Sequence, residues 1–158
     1  MREAPVRPAA CLERVYREHG DRLWRAVLAF AGDPEVASDA VAEAFAQALR
    51  RGDEIREPDR WVWRAAFRIA RGDLKTRRAR QNLPLREERY GMDTETVELI
   101  EALRRLPTKQ RASVVLHHGA GYSVREVASI IGSTPAAVRV HLSQGRRRLR
   151  DLMGGDDG

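Results

Sequence analysis

The strongest constraint on the fold lies near the end of the chain, where two helix-start signals stand close together. Ser123 followed by Glu126 has the spacing of a capping box, in which hydroxyl and carboxylate satisfy free backbone donors at a helix start. Gly132 is suited to end this helix, since glycine adopts the left-handed cap conformation at little cost. Thr134 and Pro135 then predict a second start, because threonine caps a helix and proline fits its first position. Two capped helices joined by a tight turn form a helix-turn-helix.

The second helix of this pair is predicted to bury one stripe and to expose the rest of its surface. Val138, Leu142, Leu149 and Met153 recur at helical spacing and form the apolar stripe. A helix over residues 135–150 would be about 24 Å long, enough to lie in a major groove about 12 Å wide. The pattern therefore indicates DNA binding, although an ordinary helical hairpin with a solvated basic surface has the same spacing.

Positive charge is concentrated in two parts of the chain. The whole sequence has 29 Lys and Arg against 23 Asp and Glu, a net charge of +6. Residues 139–150 contain five arginines and no acid, and residues 71–80 contain five basic residues and one acid. Two separate nucleic-acid contacts would explain both clusters. The alternative is two solvated helix ends, in which arginine interacts favourably with the helix dipole.

The remaining composition limits the class of protein. Cys11 is the only cysteine, which excludes a disulfide framework and a cysteine-based zinc site within the chain. His117 and His118 would point about 100° apart on a helix, so they do not make a shared metal-binding surface. No apolar run reaches about 18 residues, and residues 1–10 lack the apolar core of a signal peptide. We therefore expect a soluble, cytoplasmic protein with no membrane insertion, no metal, no cofactor and no enzymatic activity.

The whole chain is predicted to be all-α, because alanine, arginine and leucine dominate and strand signals are scarce. Apolar residues at helical spacing predict three helices within residues 8–80 and four within residues 95–153. Between them, residues 81–94 contain Pro84 and Gly91 among mixed charges, which is typical of a linker. The expected architecture is two small helical domains, the second a helix-turn-helix domain of winged-helix-like type.

Four stretches of the second half resemble region 4 of an extracytoplasmic-function (ECF) sigma factor. They are LPTKQR at 106–111, GYSVREVA at 121–128, VRVHL at 138–142 and RRRLR at 146–150. On its own this half would also be typical of a response-regulator output domain, which contains a similar helix-turn-helix. The first half therefore decides between the two families.

The first half is similar to region 2 of the same family. The matching residues are YREH at 16–19, GDPE at 32–35, Asp39 with EAF at 43–45, and EPDRWVWR at 57–64. The two halves follow the family's order around a short linker and together cover nearly the whole chain. This combination is specific for the ECF sigma factor family.

The resemblance implies partners and contact residues for both halves. Region 4 is expected to bind the minus-thirty-five promoter element and the beta flap of core RNA polymerase, and region 2 the minus-ten element and the beta-prime clamp helices. An anti-sigma protein is a further possible partner. The implied minus-thirty-five contacts are Arg125, Thr134, Ala137, Arg139, His141, Ser143, Gln144 and Arg147. The implied minus-ten contacts are Trp63, Arg64, Arg68, Lys75, Arg77 and Arg78, and the implied polymerase contacts are Asp39 and Glu43.

Two tryptophans of the third helix have different expected roles. Trp61 and Trp63 would point about 200° apart, so both cannot lie in the core. Trp61 matches the family's tryptophan and is expected to pack, whereas Trp63 either stacks on unpaired bases or packs in the core or between domains. Asp39 and Glu43 lie one helical turn apart and form either an acidic spot for a basic clamp helix or a solvated surface.

Three positions depart from the family pattern. Ala42 stands where glutamine is usual, and Arg68 and Gly72 stand where asparagine and aspartate are common. Gly72 within a helix also costs about 1 kcal/mol relative to alanine. These departures favour altered minus-ten recognition or a divergent sigma-like regulator. The main alternative function is a stand-alone helix-turn-helix transcriptional regulator whose first half is a partner-binding module.

The predicted linker is long enough for two promoter contacts. Promoter elements about 17 base pairs apart are separated by roughly 58 Å. Residues 81–94 span at most about 50 Å when extended, and each domain body adds tens of ångströms. The chain can therefore reach both elements, but only in a stretched form.

Overall fold

The computed structural model describes residues 8–76 and 91–154, and these residues form seven α-helices. The helices are α1 (Pro8–Ala31), α2 (Pro34–Arg51), α3 (Pro58–Thr76), α4 (Thr94–Arg104), α5 (Thr108–Val114), α6 (Val124–Ile131) and α7 (Pro135–Met153). A 3-10 turn at Gly52–Glu54 follows α2, and a π-helical turn at Val115–Gly119 continues α5. The described residues contain no strand. The all-α prediction is therefore confirmed, whereas the helix-turn-helix has no wing within these residues.

The helix-turn-helix forms through the local signals that the sequence predicts. The Ser123 hydroxyl accepts a hydrogen bond from the Glu126 N–H at 3.1 Å, and the Glu126 carboxylate accepts one from the Ser123 N–H at 3.2 Å. Gly132 adopts the left-handed conformation with φ 68°, and the Thr134 hydroxyl accepts a hydrogen bond from the Ala137 N–H at 3.2 Å. Both predicted helix starts and the turn between them are confirmed.

The last helix differs from its prediction at its C-terminal end. Helix α7 continues to Met153, beyond the predicted end at residue 150. Met153 was expected in the buried stripe but is 51% exposed, because it lies in the last turn of the helix. Val138 and Leu142 are buried as predicted.

Helices α1, α2 and α3 pack against one another around a shared apolar core. Leu23, Val27, Val36 and the rings of Phe30 and Phe67 are almost completely buried. The two phenyl rings meet edge to face with their centroids 5.4 Å apart. This three-helix core holds the exposed sides of α2 and α3 in fixed positions.

A glycine allows α7 to pack closely on α5. Gly145 is buried, and a methyl group at its Cα would lie 2.8 Å from a methyl of Val114 and 3.3 Å from the backbone oxygen of Gln110. Any larger residue at this position would push the two helices apart. The close approach fixes the position of α7 relative to the rest of the second half.

Alanine at Gly145 and at Gly72 is expected to change the free energy of unfolding in opposite directions. Alanine favours a helix over glycine by about 1 kcal/mol, and nothing lies within 4 Å of the new methyl at Gly72. G72A should therefore be stabilised by about that amount. At Gly145 the methyl overlaps Val114, and overpacking costs about 1–3 kcal/mol, so G145A should be destabilised. Urea unfolding of both variants measures the difference; stabilisation of G145A would contradict the close packing.

The two halves pack together through a buried arginine. Arg111 of α5 donates from Nε to the backbone oxygen of Phe30, near the end of α1, at 2.8 Å. A second guanidinium nitrogen of Arg111 donates to the backbone oxygen of Arg104 at 3.4 Å. Burial, and to a lesser degree the positive charge of Arg104, lowers the pKa of Arg111. The apolar core is continuous across both halves in the described residues.

The start of helix α4 lies close to the predicted end of the linker. Helix α4 begins at Thr94, one residue before the predicted start of the second domain, and Asp93 caps it by accepting from the Thr96 N–H at 2.7 Å. Residues 77–90 lie outside the described part of the chain. The domain limits 8–80 and 95–153 remain a prediction.

Candidate nucleic-acid interface

Helix α7 presents a basic surface on the side opposite its buried stripe. Val138, Leu142 and Gly145 face the core. Of the predicted minus-thirty-five contacts on α6 and α7, six are exposed: Arg125, Thr134, Arg139, Ser143, Gln144 and Arg147. Ala137 and His141 are half-buried. The exposed guanidinium groups on α7 can donate to phosphate oxygens or to guanine, as Arg does in major grooves.

Two of the predicted contacts are already engaged within the protein. The Thr134 hydroxyl accepts the N-cap hydrogen bond described above, which leaves its hydroxyl hydrogen available to donate. The Gln144 side-chain oxygen accepts a hydrogen bond from the amide nitrogen of Gln110 at 3.1 Å. Gln144 therefore presents its amide nitrogen outward, so that it is suited to an acceptor such as a phosphate oxygen or a purine N7.

One exposed apolar residue of α7 was absent from the predicted site. Val140 is 53% exposed, and it lies about 200° around the helix from Val138. The helical spacing alone could have placed it on the groove-facing surface, but we predicted contacts only at polar residues, alanine and threonine. Val140 adds an exposed apolar side chain to a candidate interface that otherwise consists mainly of charged and polar residues.

Helix α3 carries the second predicted set of contacts, and the second half partly covers it. Trp63 and Arg64 are half-buried, whereas Arg68 is exposed. Lys75 lies in the last turn of α3, and the two remaining predicted contacts, Arg77 and Arg78, lie outside the described residues. Trp63 packs against the apolar core, with its ring centroid 6.3 Å from that of Phe67 on the same helix, and it borders a cleft that is shared with the second half.

A cleft of about 290 Å³ separates α3 from the segment before α6. Trp63 and Tyr122 both line it, and the Tyr122 ring meets Phe67 edge to face with centroids 6.2 Å apart. Across the same boundary, Arg60 Nη2 lies 3.6 Å from a carboxylate oxygen of Glu126. The helix-turn-helix segment therefore contacts α3 at Phe67 and Arg60, close to the predicted contacts Trp63 and Arg64.

The charges at this boundary favour contact between the halves. Hydrogen bonding from the Ser123 backbone, with smaller contributions from Arg60 and Arg64, lowers the pKa of Glu126. The ionised carboxylate thus faces two guanidinium groups. The Nε of Arg64 is buried and has no hydrogen-bond partner among the described residues. The Arg64 Nε–H group thus lies near the boundary without an acceptor among the described residues.

Comparisons with known proteins show what the two halves of the chain are similar to. Residues 96–149 match the family model described as Sigma-70, region 4. The chain is 27% identical over 150 residues to the ECF RNA polymerase sigma factor SigM of Mycobacterium tuberculosis, covering 90% of this chain and 76% of SigM. CnrH, solved in complex with the cytosolic domain of CnrY, is 26% identical with a TM-score of 0.65, covering 94% of this chain and 91% of CnrH. The second half of the chain thus matches sigma region 4, and the chain as a whole is similar to ECF sigma factors.

A second solved structure shares the fold of this chain. The sigma factor RpoE of Bartonella quintana, in complex with the anti-sigma factor NepR, has a TM-score of 0.72 at 18% identity. The comparison covers 94% of this chain and 97% of RpoE. Both halves of the chain therefore have a counterpart in one known fold.

The predicted polymerase contacts lie on the exposed side of α2. Asp39 and Glu43 are both exposed. Glu43 accepts hydrogen bonds from the side chains of Gln47 at 3.1 Å and Arg50 at 3.0 Å, and these bonds lower its pKa. Leu49, six residues further along, is 55% exposed. It adds exposed apolar area about 120° around the helix from Glu43, and it was not among the predicted contacts.

His118 is expected to titrate below the usual histidine pKa of 6.5. Partial burial, followed by His117 and Arg146, disfavours its charged form. Because the pKa of His118 is lower in the folded protein than in the unfolded chain, His118 does not reduce the free energy of unfolding above the unfolded-state pKa. The free energy of unfolding then decreases as the pH falls from the unfolded-state pKa toward the folded-state pKa. An NMR titration should show the low midpoint and a rise in R146A; a midpoint at or above the usual value would contradict the arrangement.

Proposed function

We propose that this chain is an ECF sigma factor that directs core RNA polymerase to specific promoters and takes part in opening them. The observation that carries the proposal is the exposed basic surface of α7, held by a fully capped helix-turn-helix within the residues that match sigma region 4. The protein would act by binding and strand stabilisation, without covalent chemistry of its own. It would work in the cytoplasm, where the polymerase is; among the described helices, none is both long and apolar enough to cross a bilayer.

The second half, proposed as region 4 over residues 95–153, would place α7 in the major groove of the minus-thirty-five element. Arg139 and Arg147 would bind phosphates or guanine, and Gln144 would donate its amide hydrogens to an acceptor. Arg125, at the exposed start of α6, would bind the phosphate backbone. The beta flap of the polymerase would hold this half in place.

The first half, proposed as region 2 over residues 8–80, would bind the clamp helices and the minus-ten element. Asp39 and Glu43 form the acidic part of the polymerase contact, and the Gln47 and Arg50 hydrogen bonds hold the Glu43 carboxylate in position. Trp63 would stack on an unpaired base, while Arg64, Arg68, Lys75, Arg77 and Arg78 would follow the phosphate backbone. An anti-sigma protein is a proposed regulator, since the structural relative RpoE was solved with one.

A mobility-shift experiment separates this function from that of a stand-alone regulator. The probe is a duplex selected by core polymerase loaded with this chain, from a pool randomised in the upstream promoter region. We expect tight, sequence-specific binding by the loaded polymerase and weak binding by the free chain. Tight specific binding by the free chain, without any binding to core polymerase, would instead identify a stand-alone helix-turn-helix regulator.

A further inference from the structure

Val140 stands out on the candidate recognition surface because it can make only apolar contacts. It lies in the second turn of α7 and is 53% exposed. Ala136, one turn before it, is also exposed, and the polar residues Ser143 and Arg147 follow on the same side of the helix. The surface that would enter the groove therefore contains a small apolar patch next to hydrogen-bonding groups.

The chemistry of the major groove offers this patch one matching partner. Base pairs present hydrogen-bond donors and acceptors there, together with a single apolar group, the C5-methyl of thymine. We infer that Val140, with Ala136 beside it, recognises a thymine methyl in the minus-thirty-five element. The inference rests on the proposed function, since it requires α7 to lie in the groove. Removing one buried methyl contact changes an affinity about fourfold.

Deoxyuridine substitution tests the contact directly, because uracil lacks only the C5-methyl. Each thymine of the selected upstream element is replaced by deoxyuridine, one at a time, and binding by the loaded polymerase is measured. We expect one position at which deoxyuridine weakens binding about fourfold. In V140A the two bases should bind equally at that position. M153A is the matched control, since Met153 is an exposed apolar residue at the far end of α7, and it should retain the difference.

Several results would overturn the inference while leaving the proposed function intact. These are equal binding of thymine and deoxyuridine at every position, a methyl effect that persists in V140A, and a selected element without thymine. A loaded polymerase that selects no sequence would overturn the proposed function, and the methyl contact with it.

Discussion

Replacing both Arg139 and Arg147 by alanine is expected to weaken promoter binding by the polymerase-bound protein roughly 100-fold. Both side chains are exposed on α7, so their removal should leave the packing of the helix intact. If both contact phosphates, the slope of log affinity against log salt should fall by about two, because fewer counterions are released on binding. Filter binding at several salt concentrations, with the selected duplex, measures both effects.

A charge-matched control separates a local contact from overall charge. The control removes Arg14 and Arg25, two exposed arginines of α1, and should change affinity only slightly. The single variants R139A and R147A add a further distinction, because loss of a guanine contact relaxes specificity at one base pair, whereas loss of a phosphate contact weakens all sequences alike. An equal loss in the α1 control would contradict the placement of α7 at the DNA.

Replacing Trp63 by alanine is expected to slow the formation of the open promoter complex by roughly tenfold to 100-fold, because stacking on one base contributes about 1–3 kcal/mol. The effect should appear with the loaded polymerase, in which the halves are apart. Binding of the loaded polymerase to a single-stranded minus-ten oligonucleotide should fall by a similar factor. W63F retains a stacking ring and should recover part of the activity.

Trp63 also packs against the apolar core, so stability must be followed in the same variant. Its ring lies 6.3 Å from that of Phe67, and W63A is expected to lose some stability through that contact. A variant that opens promoters normally, although its free energy of unfolding is lower, would assign Trp63 to packing alone. Trp24, whose indole donates to Ser38 at 3.0 Å, offers a packing control that should not affect opening.

Local signals in the sequence were sufficient to predict the helices. The capping box at Ser123, the turn at Gly132 and the start at Thr134 depend only on residues a few positions apart, and the structure contains all three. The similarity to ECF sigma factors was also predictable, because motifs in both halves follow one order. These features require no knowledge of how distant parts of the chain meet.

Long-range packing could not be predicted in the same way. The hydrogen bond from Arg111 to Phe30 joins residues 81 positions apart, and neither residue carries a local signal for the other. Gly145 looks unfavourable in a helix until Val114 is known to lie against it. Trp63 illustrates the limit most clearly, since its spacing allowed both stacking and packing and only the folded chain shows the packed position. The DNA-contact residues themselves remain predictions.

Run-off transcription with purified core RNA polymerase tests the central claim most directly. The template carries the selected upstream element, and reactions contain core polymerase alone, the chain alone, or both. The account predicts transcripts from a fixed start site only when both are present, together with co-purification of the chain and core polymerase. A chain that binds the duplex but neither associates with core polymerase nor supports transcription would contradict it.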